Sequence, residues 1–195
     1  MKLLIKRLLV AAPLALGVAS TPALSQDAGW VIGASVGQSY FNDGCLQPVA
    51  PGVACDDGAL AWRAFFGYQF NSYFGYEIGY ANLGKMKQTV GGAEVASFET
   101  TAIDAVLVAT LPLNQSFAFF AKWGVFSWDM DQNIAGVGTN NVSGSDITYS
   151  YGAKYNITKS ISLRGERQRY SHVGNPAVTG SASVTVNLLS LAFTF

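Results

Sequence analysis

Along most of this chain, neighbouring residues alternate between two chemistries. One set reads Trp30, Ile32, Ala34, Val36; then Trp62, Ala64, Phe66, Tyr68, Phe70; then Phe74, Tyr76, Ile78, Tyr80. It continues with Ile103, Leu107 and Leu111, with Phe119, Trp123 and Val125, and with Ile147, Tyr149, Tyr151 and Tyr155. The other set reads Gly33, Ser35, Gly37; Arg63, Gly67, Gln69; Gly75, Glu77, Gly79, and later adds Asp104, Lys122, Lys154, Arg164 and Glu166. A period of two is that of a β-strand with unlike faces. A water-soluble sheet would turn its bulky apolar face inward and its charges outward. Here the charges share a face with the glycines, so the bulky face must meet lipid and the small, charged face a narrow interior. A soluble lipocalin-like barrel would need the opposite parity, with its aromatics lining a ligand cavity.

Eight such segments are expected: Trp30–Phe41, Ala59–Phe70, Tyr73–Gly84, Thr101–Leu113, Phe117–Met130, Ile147–Ile157, Ile161–Ser171 and Ser183–Phe195. Short turns at Asn71-Ser72, Asn114-Gln115 and Thr158-Lys159 rotate with long polar connections at Asn42–Gly58, Lys85–Glu99, Asp131–Asp146 and His172–Ala182. That rhythm predicts an all-β, eight-stranded, antiparallel up-and-down transmembrane β-barrel in a bacterial outer membrane. Its short turns would lie in the periplasm and its long loops outside. The final segment places Leu189, Leu191, Phe193 and Phe195 on one face. Phe195 is the candidate assembly signal, which makes the barrel-assembly machinery an expected partner.

The start of the chain fits export. Lys2, Lys6 and Arg7 precede an apolar run from Leu8 to Val18, and Ala23-Leu24-Ser25 offers a small-x-small cleavage site. The run is too short for a spanning helix, which needs about 20 residues. Residues 1–25 are therefore expected to be a signal peptide and residues 26–195 the barrel domain. Half of the residues are hydrophobic and only 12% are charged. Removing the leader leaves nine basic residues against 12 acidic ones, a net charge of −3, which is no footprint for nucleic acid.

Two stretches resemble a known family. Gly-Tyr-Gln at 67–69, the Asn71 turn and Gly-Tyr-Glu-Ile-Gly-Tyr at 75–80 look like the second hairpin of the OmpA transmembrane barrels. Residues 151–166, from Tyr151-Gly-Ala-Lys to Arg-Gly-Glu166, are similar to that family's sixth and seventh strands. The resemblance covers essentially all of the mature chain and ends at Phe195. The peptidoglycan-binding domain of full-length relatives is not expected, so tethering to the cell wall is not implied. In that family a buried carboxylate on the third barrel strand exchanges partners between a lysine and an arginine, gating a narrow water path. Glu77 matches the carboxylate and Arg164 the arginine. Val108 stands at the lysine position, and Lys154 replaces a second carboxylate, so the switch cannot be copied over. Instead, Arg63, Glu77, Asp104, Lys122, Lys154, Arg164 and Glu166 are expected to compensate one another as a plug filling the lumen.

Few residues could carry other chemistry. Some barrels of this size act on lipid A through a His and a Ser two residues apart, but here Gly174 stands two residues beyond His172. Ser171 is adjacent and would point to the opposite face, so a Ser–His couple is not expected and His172 reads as a loop residue. No catalytic residue, cofactor or metal site is expected, since Cys45 and Cys55 alone are too few for a metal. In an oxidising compartment they read as a disulfide closing the first loop. Strand parity puts Arg167 and Arg169 on the lipid side. There they would either snorkel to water or hold lipopolysaccharide phosphate. The expected role is structural and surface-exposed: contact with outer-membrane lipid and lipopolysaccharide, and adhesion of the Gly- and Asn-rich loops to a host or phage surface ligand. A low-conductance pore and a lipid A-modifying enzyme are the alternatives.

Overall fold

A computed structural model describes residues 28–42, 53–136, 138–174 and 182–195. In chain order the strands are β1 (Gly29–Asn42), β2 (Val53–Asp56), β3 (Gly58–Gln69), β4 (Phe74–Val90), β5 (Ala93–Pro112), β6 (Phe117–Ile134), β7 (Gly138–Asn156), β8 (Ile161–Val173) and β9 (Ala182–Thr194). Each long strand pairs antiparallel with the next, and β1 pairs with β9 from Val31↔Thr194 to Asn42↔Ser183. That last pairing closes an eight-stranded barrel, with β2 as a short ninth strand outside it. Closure leaves no backbone edge facing lipid, where no water could satisfy it.

The three tight turns use one device. The Asn71 side-chain oxygen accepts the backbone N–H groups of Tyr73 (2.8 Å) and Phe74 (2.9 Å). Asn114 does the same for Ser116 and Phe117, and the Thr158 hydroxyl for Ser160 and Ile161. A short side chain thereby mimics a backbone turn and fixes the register of the strands that follow.

The strands β4 to β7 are 17–20 residues long, although about 9–11 suffice to cross a bilayer. Segments 85–99 and 131–146, expected to be polar loops, are instead hairpins that continue the barrel wall beyond the apolar band. Gly91 and Gly92, with φ of 57° and 87°, make the first of these turns, as the primed hairpin turns require. These extensions escape the sequence pattern because their outer face meets water rather than lipid, so no bulky apolar alternation marks them, although Met86, Ala96 and Gln132 are buried on the inner face. β2 pairs with β4, Cys55 opposite Gln88, so part of the first expected loop is also strand. His172, expected in a loop, lies within β8 at a bulge between Tyr170 and Val173, with φ of 49°.

Candidate functional site: a charged plug beneath an apolar ceiling

Inward-facing side chains of β3, β4, β5, β6 and β8 meet in one buried cluster. Glu77 lies at its centre. Its Oε1 accepts from Arg164 Nη1 at 2.6 Å, and its Oε2 from Lys122 Nζ at 2.8 Å and Arg63 Nη1 at 3.4 Å. Lys122 also donates to Glu166 at 2.8 Å. Arg63 forms a two-pronged pair with Asp104, Nη2 to Oδ1 at 2.5 Å and Nε to Oδ2 at 2.9 Å. The Tyr170 hydroxyl donates to Asp104 at 3.1 Å. Arg63, Glu77, Asp104, Lys122, Arg164 and Glu166, all among the expected lumen charges, thus share these contacts. Lys154 is buried with them, as the register partner of Arg164. All seven side chains lie inside the barrel wall.

Local sequence makes room for this cluster. A Cβ on Gly79 would stand 2.5 Å from Arg63 Nε, so the guanidinium lies where a side chain is missing. The Phe65 ring lies close to three cations, with Arg63 5.0 Å and Lys122 and Arg164 each 5.5 Å from its centroid. A ring face so placed attracts cations by its quadrupole. Lys122 is the register partner of Val108. From that position, directly across from Val108 on the next strand, Lys122 reaches the Glu77 carboxylate.

Above the charges, away from the tight turns, the interior changes character. Phe126, Trp128 and Met130 continue the inward face of β6 beyond Lys122. They pack with Leu83, Met86, Tyr170, Val173, Val184 and Val186 in one buried apolar cluster. Phe126 and Tyr170 meet edge to face at 4.9 Å. Gly144 accepts the Trp128 ring where a Cβ would be only 2.7 Å from it. Sequence reasoning expected a lumen of small and charged residues throughout and missed this ceiling. Its signal was present in the parity of Phe126 and Trp128, one step from the lipid-facing Trp123 and Val125. Toward the tight turns, Val31, Phe65 and Ala192 form a smaller apolar layer.

The remaining site residues lie apart. Arg167 and Arg169 face outward on β8. Phe195 exchanges backbone hydrogen bonds with Trp30 at 2.9 and 3.0 Å, and its exposed ring stacks on Phe193. Among the described residues there is no free cysteine; Cys55 lies in β2, and Cys45 falls outside them. His172 Nδ1 lies 2.8 Å from Asp146 Oδ2 at the exposed rim, while Ser171 is buried on the other side of the strand. Among the described residues no group of His, Cys, Asp and Glu could hold a metal ion.

Comparison with known proteins gives one consistent result. The model of the OmpA-like transmembrane domain matches residues 25–195. Outer membrane protein A of Escherichia coli O157:H7 is 28% identical over 160 residues, which cover 82% of this chain and 45% of that protein. Its counterpart in Yersinia pseudotuberculosis is 28% identical over 169 residues, 82% of this chain and 46% of that one. The chain thus spans about half the length of the curated relatives it matches. Among solved structures, Neisserial surface protein A is similar with a TM-score of 0.64 at 12% identity, over 86% of this chain and 99% of that one. The attachment invasion locus protein Ail of Yersinia pestis, in complex with the heparin analogue sucrose octasulfate, gives a TM-score of 0.57 at 12% identity, over 87% and 99%.

Proposed function

The chain belongs to the OmpA-like transmembrane domain family, whose members are outer-membrane barrels, and from that membership we propose that it is a non-enzymatic, non-conducting barrel of the bacterial outer membrane that works through its surfaces. The observation that carries this reading is the filled lumen. A plug of paired charges lies beneath a layer of Phe126, Trp128, Met130 and Val184, whose apolar side chains would not coordinate an ion. Eight strands leave an interior that side chains can fill, and here they fill it. What remains for function is the lipid-facing belt and the extracellular wall.

That wall is built by the extended hairpins of β4–β5 and β6–β7, with β2 added along β4. It is the surface on which adhesion to a host or phage ligand would act. In this reading residues 1–25 are a cleaved leader and Phe195 is the signal read by the barrel-assembly machinery. A Cys45–Cys55 disulfide ties the first loop to the wall, and the absence of a free thiol at Cys55 supports it. Arg167 and Arg169 contact lipopolysaccharide. Planar-bilayer recording tests the central claim: reconstituted protein should give no discrete current steps, and reproducible steps would reject the plug. Binding of intact cells to host surfaces, with and without residues 85–99 and 131–146, tests the wall.

A further inference from the structure

Among the described residues, the lipid-facing belt carries arginine on one side alone. Gln38 of β1 pairs with Asn187 of β9, Asn187 with Arg167 of β8, and Arg167 with Tyr151 of β7. All four are exposed on the outer face. One turn of the pleat further toward the loops, Tyr40, Thr185, Arg169 and Tyr149 form a second row across the same strands. Two amides and two guanidiniums are thereby brought together where the opposite side of the barrel shows Ile103, Leu107, Trp123 and Val125. Among the described residues neither arginine has an ion-pair partner.

Height on the barrel narrows the ligand. Strands rising about 3.3 Å per residue at a tilt of roughly 40° gain about 2.5 Å of height per residue. Counted from the tight turns, Arg167 lies about 15 Å up, with Arg169, Asn187 and Gln38 at about 20–22 Å, in an apolar band about 25 Å tall. The patch therefore sits in the outer leaflet, just beneath its headgroups, within reach of extended side chains. Two guanidiniums suit phosphate oxygens. Amides flanking them suit hydroxyl and amide groups, which a simple phospholipid tail does not offer. Four strands about 4.8 Å apart span roughly 14 Å, more than one phosphate needs.

We propose that this face is a binding site for a phosphorylated glycolipid of the outer leaflet, with Arg167 and Arg169 holding phosphate and Gln38 and Asn187 reading the sugar. The proposal deepens the lipopolysaccharide contact named above and rests on that orientation of the barrel. The two rows add what two arginines alone do not carry, a preference for a sugar headgroup over anionic lipid in general.

The test is native mass spectrometry of the folded protein titrated with bisphosphorylated lipid A, dephosphorylated lipid A, phosphatidylglycerol or inorganic phosphate. Lipid A should bind at least tenfold tighter than phosphatidylglycerol, with dephosphorylated lipid A losing most of that advantage and free phosphate not competing. Arg167→Leu with Arg169→Leu should weaken lipid A binding by tenfold or more. Both leucines suit a lipid-facing surface, and the mobility of the unheated protein on a gel verifies folding. Gln38→Leu with Asn187→Leu should weaken lipid A severalfold and leave phosphatidylglycerol unchanged. Equal binding of lipid A and phosphatidylglycerol would overturn the sugar-reading site while leaving the arginine contact. Unchanged lipid A binding in the double-leucine variant would overturn both. Neither result bears on bilayer current or cell adhesion, which test the broader reading separately.

Discussion

Replacing Glu77 by Gln removes the charge on which three cations converge while nearly preserving shape. Its consequences divide unevenly. Arg63 keeps its two-pronged pair with Asp104, and Lys122 keeps Glu166 at 2.8 Å. Arg164 loses the carboxylate it approaches at 2.6 Å. Breaking a buried pair while leaving the partner in place costs about 3–5 kcal/mol, because the remaining charge stays desolvated. With a urea slope of about 2 kcal/mol per molar, that is a midpoint shift of roughly 2 M. The plug holds three carboxylates and four cations; Glu77→Gln alone leaves two against four, whereas adding Arg164→Met leaves two against three and restores the original imbalance. The double variant should therefore recover more than half of the loss, although it has no more ion pairs than the single one. Tryptophan fluorescence of vesicle-reconstituted protein in urea measures both. An unshifted midpoint for Glu77→Gln, or a double variant as weak as the sum of the singles, would refute the argument that charge compensation holds the plug together.

Three further outcomes are expected. Thiol labelling of the unreduced, denatured mature protein should find no reactive cysteine, and reducing it should release two; two thiols before reduction would rule out the Cys45–Cys55 bond. Phe126→Ala should cost about 3–5 kcal/mol by opening a cavity in the ceiling, and with Trp128→Ala it should bring discrete current to a silent barrel. Silence in the double variant would mean that the charges alone seal the lumen. At the tip of the β4–β5 hairpin, hydrogen bonding from Lys85, then Ser97, holds the Glu94 carboxyl below its ordinary value. A depressed carboxylate contributes order above its unfolded pKa and loses it as pH falls through the folded one, so amide protection at Gly91–Ser97 should drop in acid. The Glu94→Gln variant should lack that drop, and an identical profile would dismiss the contact.

The barrel was legible in the sequence because one face of each strand meets hydrocarbon, and lipid enforces alternation residue by residue. Glu77, Arg164 and Lys122 were legible as inward charges for the same reason. Which of them touch was not, since contacts across the lumen depend on closure of a sheet whose register a single strand does not state. Lys122 shows the limit: only pairing of β5 with β6 places it beside Val108 and within reach of Glu77. Beyond the membrane the rule lapses, and there the wall of residues 85–99 and 131–146 escaped notice. The ceiling escaped for a different reason. Phe126 and Trp128 are aromatic like the lipid-facing residues around them, so hydrophobicity alone hid the side they face.

The seam between β1 and β9 carries a consequence for how the molecule comes into being. It joins parts of the chain as distant as Ser35 and Ser190, 155 positions apart, whose hydroxyls meet at 2.8 Å. Contacts of such separation form late and slowly. Until this one forms, the sheet has two raw edges, and hydrocarbon tolerates neither. The strands therefore cannot wait in the bilayer for one another; insertion and circularisation must proceed as a single event. A catalyst that shields the edges of β1 and β9 until they find each other would leave the final stability untouched and change only the time needed to reach it.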